Sequence, residues 1–142
     1  MKLSRASGYA VLSVLAIARQ QRQDPGGSVQ IKEIAAEHDL PHDYIAKLLT
    51  MLVKARILNS GRGRDGGFTL RRRASEISVL DIVEAVDGPV ETTDMLTATN
   101  GNDEFREHVG GMFDRAMAKL REVLQERTIE RLLPQELSNS EV

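Results

Sequence analysis

Arginines and glycines alternate over residues 61–67 (GRGRDGG), between two short apolar runs. From Lys54 to Arg73 seven cationic side chains stand against one acid, Asp65. Positive charge packed this densely on a turn repels itself unless a polyanion is near, and guanidinium groups suit phosphate. The segment therefore predicts a nucleic-acid contact. Two alternatives stay open: chance clustering of surface charge, and a solvated arginine loop whose glycines serve only the turn.

A helix that could read DNA is predicted just before this turn, beginning near Pro41. Proline suits the first helical position, which has no N–H partner to lose, and Asp43 complements the positive helix end. Another helix is predicted over residues 31–38, and a very short turn joins it to the helix that begins near Pro41. Such a pair is a helix-turn-helix, whose second helix can enter the major groove. The apolar stripe of the helix that begins near Pro41 is Tyr44, Ile45, Leu48, Leu49, Met51, Leu52 and Ala55.

The remaining elements complete a winged fold. Ile57 and Leu58 before the glycines, and residues 68–70 after them, alternate as two short strands, which makes the arginine turn the tip of a wing. A helix over residues 4–23 is apolar almost all round and should be buried on several sides. Ser78 is predicted to cap a further short helix. The fold class is therefore mostly α with a small β wing.

A long helix is predicted over residues 104–133. Its continuous part, to about residue 127, would span ~35 Å, longer than a small winged domain can cover. We predict that this helix forms a dimer interface, the seam, with the same helix of a second copy of the chain. The alternative is that the helix packs back onto its own domain. The apolar stripe is Phe105, Val109, Met112, Phe113, Ala116, Leu120, Val123 and Leu124.

The predicted organisation is a winged helix-turn-helix domain (1–88), a loop (89–103), the dimerisation helix (104–133) and a flexible tail (134–142). The net charge of −2 hides a strong asymmetry, because residues 1–75 carry +7 and residues 76–142 carry −9. No cysteine is present, which excludes disulfides, thiolate metal sites and cysteine nucleophiles. The longest apolar run falls short of the ~20 residues of a membrane span, so we expect a soluble cytoplasmic protein without membrane contact.

Several blocks in order resemble the Rrf-type family of bacterial winged-helix transcription regulators, the group of IscR, NsrR and CymR. They are MKLS at the start, IKEIAAEHDLPHDYIAKLLTMLVKARIL over the helix-turn-helix, GRGRDGGFTL at the wing and SEISVLDIVEAVDGP after it. The resemblance is close over residues 1–90 and extends to the long helix by pattern only. It implies a homodimer that binds inverted-repeat operator DNA and represses transcription.

The resemblance and the helix-turn-helix geometry together predict the DNA contacts. Tyr44 and Lys47 match positions at which relatives touch DNA, and Arg62 matches an arginine that reaches into the minor groove. For Tyr44 the alternative is a purely structural role in the core. The full predicted set is Ser4, Arg5, His42, Asp43, Tyr44, Lys47, Thr50, Arg62, Gly63 and Arg64.

The chain departs from relatives that hold an iron–sulphur cluster. Those proteins place three cysteines between the connector and the long helix, where this chain has none. We therefore expect no cofactor. No metal site is expected either, because Pro41 separates His38 from His42 and His108 stands alone. By resemblance, a small-molecule or protein effector is expected at the loop.

Two functions of different class remain. The first is a homodimeric, cluster-free, DNA-binding transcriptional regulator. The alternative is a winged-helix interaction module that binds a protein instead of DNA. The arginine-rich wing favours the first. An enzyme is not expected, because the sequence has no phosphate-binding loop, dinucleotide fingerprint or serine elbow.

Overall fold

The computed structural model describes residues 3–61, 66–92 and 103–135. Within these ranges the chain forms six α-helices, one 3₁₀ turn and a two-stranded antiparallel sheet, so the predicted fold class is confirmed. The elements are α1 (Arg5–Gln23), α2 (Ile31–His38), α3 (His42–Lys54), β1 (Leu58–Ser60), β2 (Phe68–Leu70), the 3₁₀ turn (Ala74–Glu76), α4 (Val79–Asp87), α5 (Asp103–Glu126) and α6 (Ile129–Leu132).

Helix α1 lies at the centre of the fold, as its all-round apolar pattern predicts. It packs against α3, α4, α6 and the wing strand β2. Val14 and Ile17 on α1 are fully buried, together with Ile45 and Leu49 of α3 and Ile82 of α4. One continuous core therefore joins the helix-turn-helix to the elements on either side of it.

Helix α4 begins where Ser78 was predicted to cap it. The Ser78 hydroxyl accepts a hydrogen bond from the Asp81 N–H at 3.1 Å, and the Asp81 carboxylate accepts one from the Ser78 N–H at 3.0 Å. This reciprocal pair satisfies two N–H groups that the helix itself cannot. The helix then buries two faces, since Ile82 joins the main core while Leu80 and Val83 form a second cluster with α5.

The segment predicted as the dimerisation helix, 104–133, forms two helices, and α5 ends near residue 127, where the continuous apolar pattern ends. The chain breaks after Glu126, and Thr128 caps the separate helix α6 by accepting a hydrogen bond from the Arg131 N–H at 3.3 Å. Ile129 and Leu133 are buried in the main core. The break occurs because backbone groups there pair with the start of α4: the Val79 N–H donates to the Arg127 carbonyl at 2.8 Å. Residues 127–133 thus complete the core of the winged domain.

The apolar stripe of α5 is divided between two environments. Leu120 and Leu124, with Met117, pack half-buried against Leu80, Val83 and Val90 of the same chain, as the alternative for this helix requires. Other members of the stripe are exposed: Phe105, Val109, Met112, Phe113, Ala116 and Val123. Viewed down the axis of α5 at 100° per residue, with Val109 at 0°, the three residues that contact α4 lie at about 20° to 80°. Met112, Ala116 and Val123 lie on the other side of Val109, at about −20° to −60°.

Parts of the predicted organisation fall outside the described residues. These are residues 93–102 of the predicted loop and residues 136–142 of the predicted tail. In the part of the chain that the structure describes, no helix combines the length and apolarity needed to cross a membrane.

Candidate nucleic-acid interface

The turn between α2 and α3 is held by local backbone geometry. Asp39 adopts a left-handed conformation with φ of 51°, and the Leu40 N–H donates to the Ala35 carbonyl at 2.9 Å. This pattern ends a helix within two residues, and Asp tolerates the left-handed region better than most side chains. Pro41 then occupies the N-cap position of α3, with φ of −59° and ψ of 139°. The helix-turn-helix predicted from the sequence is present.

Helix α3 presents one exposed polar stripe. Asp43, Lys47, Thr50 and Lys54 are all exposed and recur at steps of three and four, so they share a face. The opposite face is buried, through Ile45, Leu48, Leu49 and Leu52. The Thr50 hydroxyl donates to the Ala46 carbonyl at 2.8 Å, which leaves its oxygen as an acceptor. A helix that enters a DNA groove needs this arrangement, with one face exposed and polar and the opposite face packed in the core.

Tyr44 lies at the border between these two faces. Its ring is half-buried, and its centroid lies 6.2 Å from that of Tyr9 in an edge-to-face arrangement. This contact with α1 is the one expected if Tyr44 has a structural role in the core, which was the alternative to a DNA contact. Tyr44 is nevertheless only partly buried, so some of its surface remains accessible.

At the tip of α3, His42 and Asp43 are both highly exposed, and the His42 Nδ1 lies 3.8 Å from the Asp43 carboxylate. Neither side chain contributes to the core clusters. The tip is therefore open to a partner.

The wing is anchored to the rest of the domain at its root. Strand β2 pairs with β1 in the register Leu58↔Leu70, Asn59↔Thr69 and Ser60↔Phe68. Phe68 also exchanges two backbone hydrogen bonds with Val29, at 2.8 and 3.1 Å. A Cβ on Gly67 would lie 2.8 Å from the Val29 carbonyl oxygen, so this glycine is required by close backbone approach.

The tip of α3 and the wing root share one surface. A shallow concavity of about 400 Å³ is lined by α2, the start of α3 and the glycines of the wing, through Gln30, Ile31, Lys32, His42, Gly61, Gly66, Gly67 and Phe68. His42 was a predicted contact, whereas Lys32 and Gln30 were not. Nothing in the local pattern distinguishes Lys32 from other surface lysines, and only the fold brings it beside the wing.

The other predicted contacts are placed as follows. Ser4 caps α1, accepting from the Ser7 N–H at 3.1 Å, and its hydroxyl donates to the Asp87 carboxylate at the end of α4. This hydrogen bond links the start of α1 to the end of α4. Arg5 is exposed. Arg62, Gly63 and Arg64 lie outside the described residues.

No metal centre is formed within residues 3–61, 66–92 and 103–135, where no three His, Asp or Glu side chains cluster suitably. His38 instead packs its ring against Tyr9, with centroids 6.1 Å apart.

A family model described as Rrf2, iron-dependent transcriptional regulator, matches residues 3–135. The chain belongs to the Rrf2 family. Curated relatives include an HTH-type transcriptional regulator of Mycobacterium tuberculosis, 33% identical over 90 residues. That match covers 63% of this chain and 54% of the relative. The HTH-type transcriptional regulator IscR of Vibrio atlanticus is 33% identical over 93 residues, covering 66% and 52%. The chain thus spans about half the length of these curated relatives.

Solved structures extend the Rrf2 likeness to the whole fold. CymR of B. subtilis, described as its global cysteine regulator, aligns with a TM-score of 0.77 at 26% identity, covering 93% of this chain and 95% of that one. CymR of Staphylococcus aureus in its oxidized form aligns with a TM-score of 0.73 at 27% identity, covering 95% and 98%. The Rrf2 relatives are transcriptional regulators, not enzymes.

Proposed function

We propose that this chain is a homodimeric, sequence-specific DNA-binding repressor of transcription that works without an iron–sulphur cluster. One observation carries the proposal: the open tip of α3 and the root of the arginine-bearing wing line a single concave surface. A helix tip in the major groove would then leave the wing over the adjacent backbone and minor groove. Such a regulator acts where bacterial DNA is, in the cytoplasm.

The proposed contacts divide by chemistry. Lys47 and Thr50 face the major groove with His42, and Asp43 can accept from the amino group of cytosine. Tyr44 contributes through its exposed part. Arg62 enters the minor groove, while Gly63 lets the backbone approach a phosphate that Arg64 also binds. Arg5 adds a phosphate contact near the start of α1. Ser4, which caps α1, adds a further phosphate contact there.

Dimerisation through α5 would supply the second half-site. The exposed apolar residues of α5 are the proposed seam, with Leu120 and Leu124 at its edge, where they also contact α4. A two-fold dimer matches an inverted repeat. The effector, a small molecule or a protein, would act at residues 89–103, the segment that joins α4 to α5 in the sequence.

Absence of a cluster is proposed from donor chemistry. The Rrf2 family is described as iron-dependent, but iron–sulphur clusters are held by thiolate sulphur, and this chain contains no cysteine. The residues present do not fit such a cluster, and DNA binding is therefore assigned to the protein alone.

Protein purified without oxygen should be colourless, and its affinity for DNA should be equal with and without oxygen. Hard oxygen and imidazole donors do not replace the thiolates that hold a cluster. Iron analysis and a visible spectrum of the anaerobic protein are the measurements. Stoichiometric iron with charge-transfer bands would contradict the cluster-free proposal.

Arg62→Ala and Arg64→Ala should each weaken binding to the operator duplex. Each lost arginine contact with DNA should reduce the slope of log affinity against log salt by about one. The measurement is fluorescence anisotropy on an inverted-repeat duplex across a range of salt concentrations.

Lys119→Ala is the matched control, because it removes the same charge from α5. There the Lys119 ammonium is bonded to Glu122 at 2.8 Å, a contact that raises the pKa of Lys119. Binding that is insensitive to salt, or wing variants that behave like the control, would instead favour the protein-interaction module.

A further inference from the structure

A clasp of two side chains holds the residue at which the chain leaves α4 for α5. We define the clasp as the side chains of Glu84 and Arg121 with the backbone of Val90. The Glu84 carboxylate accepts from the Val90 N–H at 2.9 Å and from Arg121 Nη1 at 3.0 Å. Arg121 Nη1 also donates to the Val90 carbonyl at 3.1 Å. Both backbone polar groups of Val90 are thus satisfied by side chains of α4 and α5.

The clasp lies against an apolar joint. The Val90 side chain is 1% exposed and packs between Leu80 and Val83 of α4 and the inward side of α5. The Glu84 side chain is 27% exposed and the Arg121 side chain 43% exposed, so solvent is excluded from the pair mainly on the Glu84 side. Ion pairs in this setting resist displacement by water better than fully exposed pairs do.

A second anchor holds the chain directly after the C-terminal end of α5. The Arg127 carbonyl accepts from the Val79 N–H at 2.8 Å, and the Ile129 N–H donates to the Ile77 carbonyl at 2.9 Å. Arg121 and Glu126, the last residue of α5, are separated by about 8 Å along the helix. Two anchors at this separation define a direction as well as a position for α5 relative to α4.

Most of the exposed seam lies on the arm of α5 from Asp103 to Arg121, whose Met117 and Leu120 contact the α4 cluster close to the clasp. From Arg121 to Asp103 the helix extends about 27 Å. Phe105, Val109 and Phe113 are on this arm, which carries a further surface contact from the Thr92 hydroxyl to Asp114 at 2.6 Å. A tilt of about 10° at the clasp would move the end of the arm by about 5 Å, more than the ~3.4 Å between base pairs.

We propose that the clasp is a positioning element that sets the distance between the two α3 helices of the dimer, and so the half-site spacing that the dimer accepts. The proposal rests on the proposed function, since it requires a dimer through α5 that binds an inverted repeat. Glu84 and Arg121 are positioning residues in this role, because neither touches DNA.

Stiffness of the joint can be measured without DNA. The chain has no cysteine, so cysteines introduced at the exposed positions Ala36 on α2 and Glu107 on α5 are the only sites for spin labels. Labelled chains are diluted with excess unlabelled protein, and pulsed electron paramagnetic resonance reports the distance within one chain. Arg121→Met should broaden this distance distribution. Arg121→Lys, which keeps a cation beside Glu84, should restore most of its sharpness.

Lys119→Met is the control, since it breaks an exposed pair two residues away on the same helix. It should leave the distance distribution unchanged.

Spacing selectivity is measured on duplexes whose central spacer is shortened or lengthened by one or two base pairs, and on a single half-site. The wild-type chain should prefer its best spacer by about tenfold or more, because simultaneous engagement of both sites depends on geometry. Arg121→Met should reduce this preference to about twofold or less while leaving half-site affinity unchanged. Lys119→Met should retain the wild-type preference.

The outcomes separate the two proposals. A sharp distance distribution and an intact spacing preference in Arg121→Met would overturn the clasp while leaving DNA binding in place. A loss of half-site affinity equal to the loss on the full site would reduce the clasp to a general structural role and also overturn it. If the wild-type chain binds no duplex at all, the proposed function is contradicted. The proposed role of the clasp in half-site spacing is then contradicted too, whatever the distance distribution shows.

Discussion

Val109→Glu should convert the protein to a monomer and lower its affinity for an inverted-repeat operator by about 100-fold or more. Val109 is 38% exposed and lies in the same exposed face as Phe105, which is 71% exposed. A carboxylate buried in the proposed seam without a partner would cost several kcal/mol. A monomer would then engage one half-site at a time.

Light scattering at micromolar concentration and operator titrations are the measurements for this variant. Ala118→Glu is the matched control, because Ala118 is exposed on the same helix at about 180° from Val109. It adds the same charge outside the proposed seam and should leave the dimer intact. A Val109→Glu protein that remains dimeric, or a wild-type chain that is monomeric, would contradict the assignment of this face.

Leu133→Ala should lower the free energy of unfolding by about 2–5 kcal/mol. Leu133 is 6% exposed and packs in the main core beside Ile129, where residues 127–133 close the fold over α1. Removal of its side chain leaves a cavity that the well-packed neighbours fill only in part. A domain whose total stability is about 5–15 kcal/mol would feel the loss strongly.

Leu132→Ala provides the comparison for this variant, because the same change is made one residue away at a side chain that is 41% exposed. It should shift the free energy of unfolding by about 0.5 kcal/mol or less. Urea unfolding followed by circular dichroism is the measurement, at one fixed protein concentration because dimer dissociation contributes to apparent stability. Equal effects of the two substitutions would mean that residues 127–133 are not part of the core in solution.

The sequence alone determined the elements that depend on local signals. Pro41 and Asp43 marked the start of α3, Ser78 marked the cap of α4, and the glycines of residues 61–67 marked the wing. These features were predictable because caps, turns and helix starts involve groups within about four residues of one another. The family resemblance rests on the same local blocks, and the match to the Rrf2 family over residues 3–135 confirms it.

Only the tertiary structure decided how distant segments share the available surface. The periodicity of α5 showed that one face is apolar, but Leu120 and Leu124 turned out to contact α4, while Val109 and Phe113 remain exposed. The return of α6 into the core and the placement of Lys32 beside the wing were equally invisible in the sequence. Hydrophobic burial is non-directional, so a pattern of apolar residues predicts that a face will be covered without specifying which part of the chain covers it.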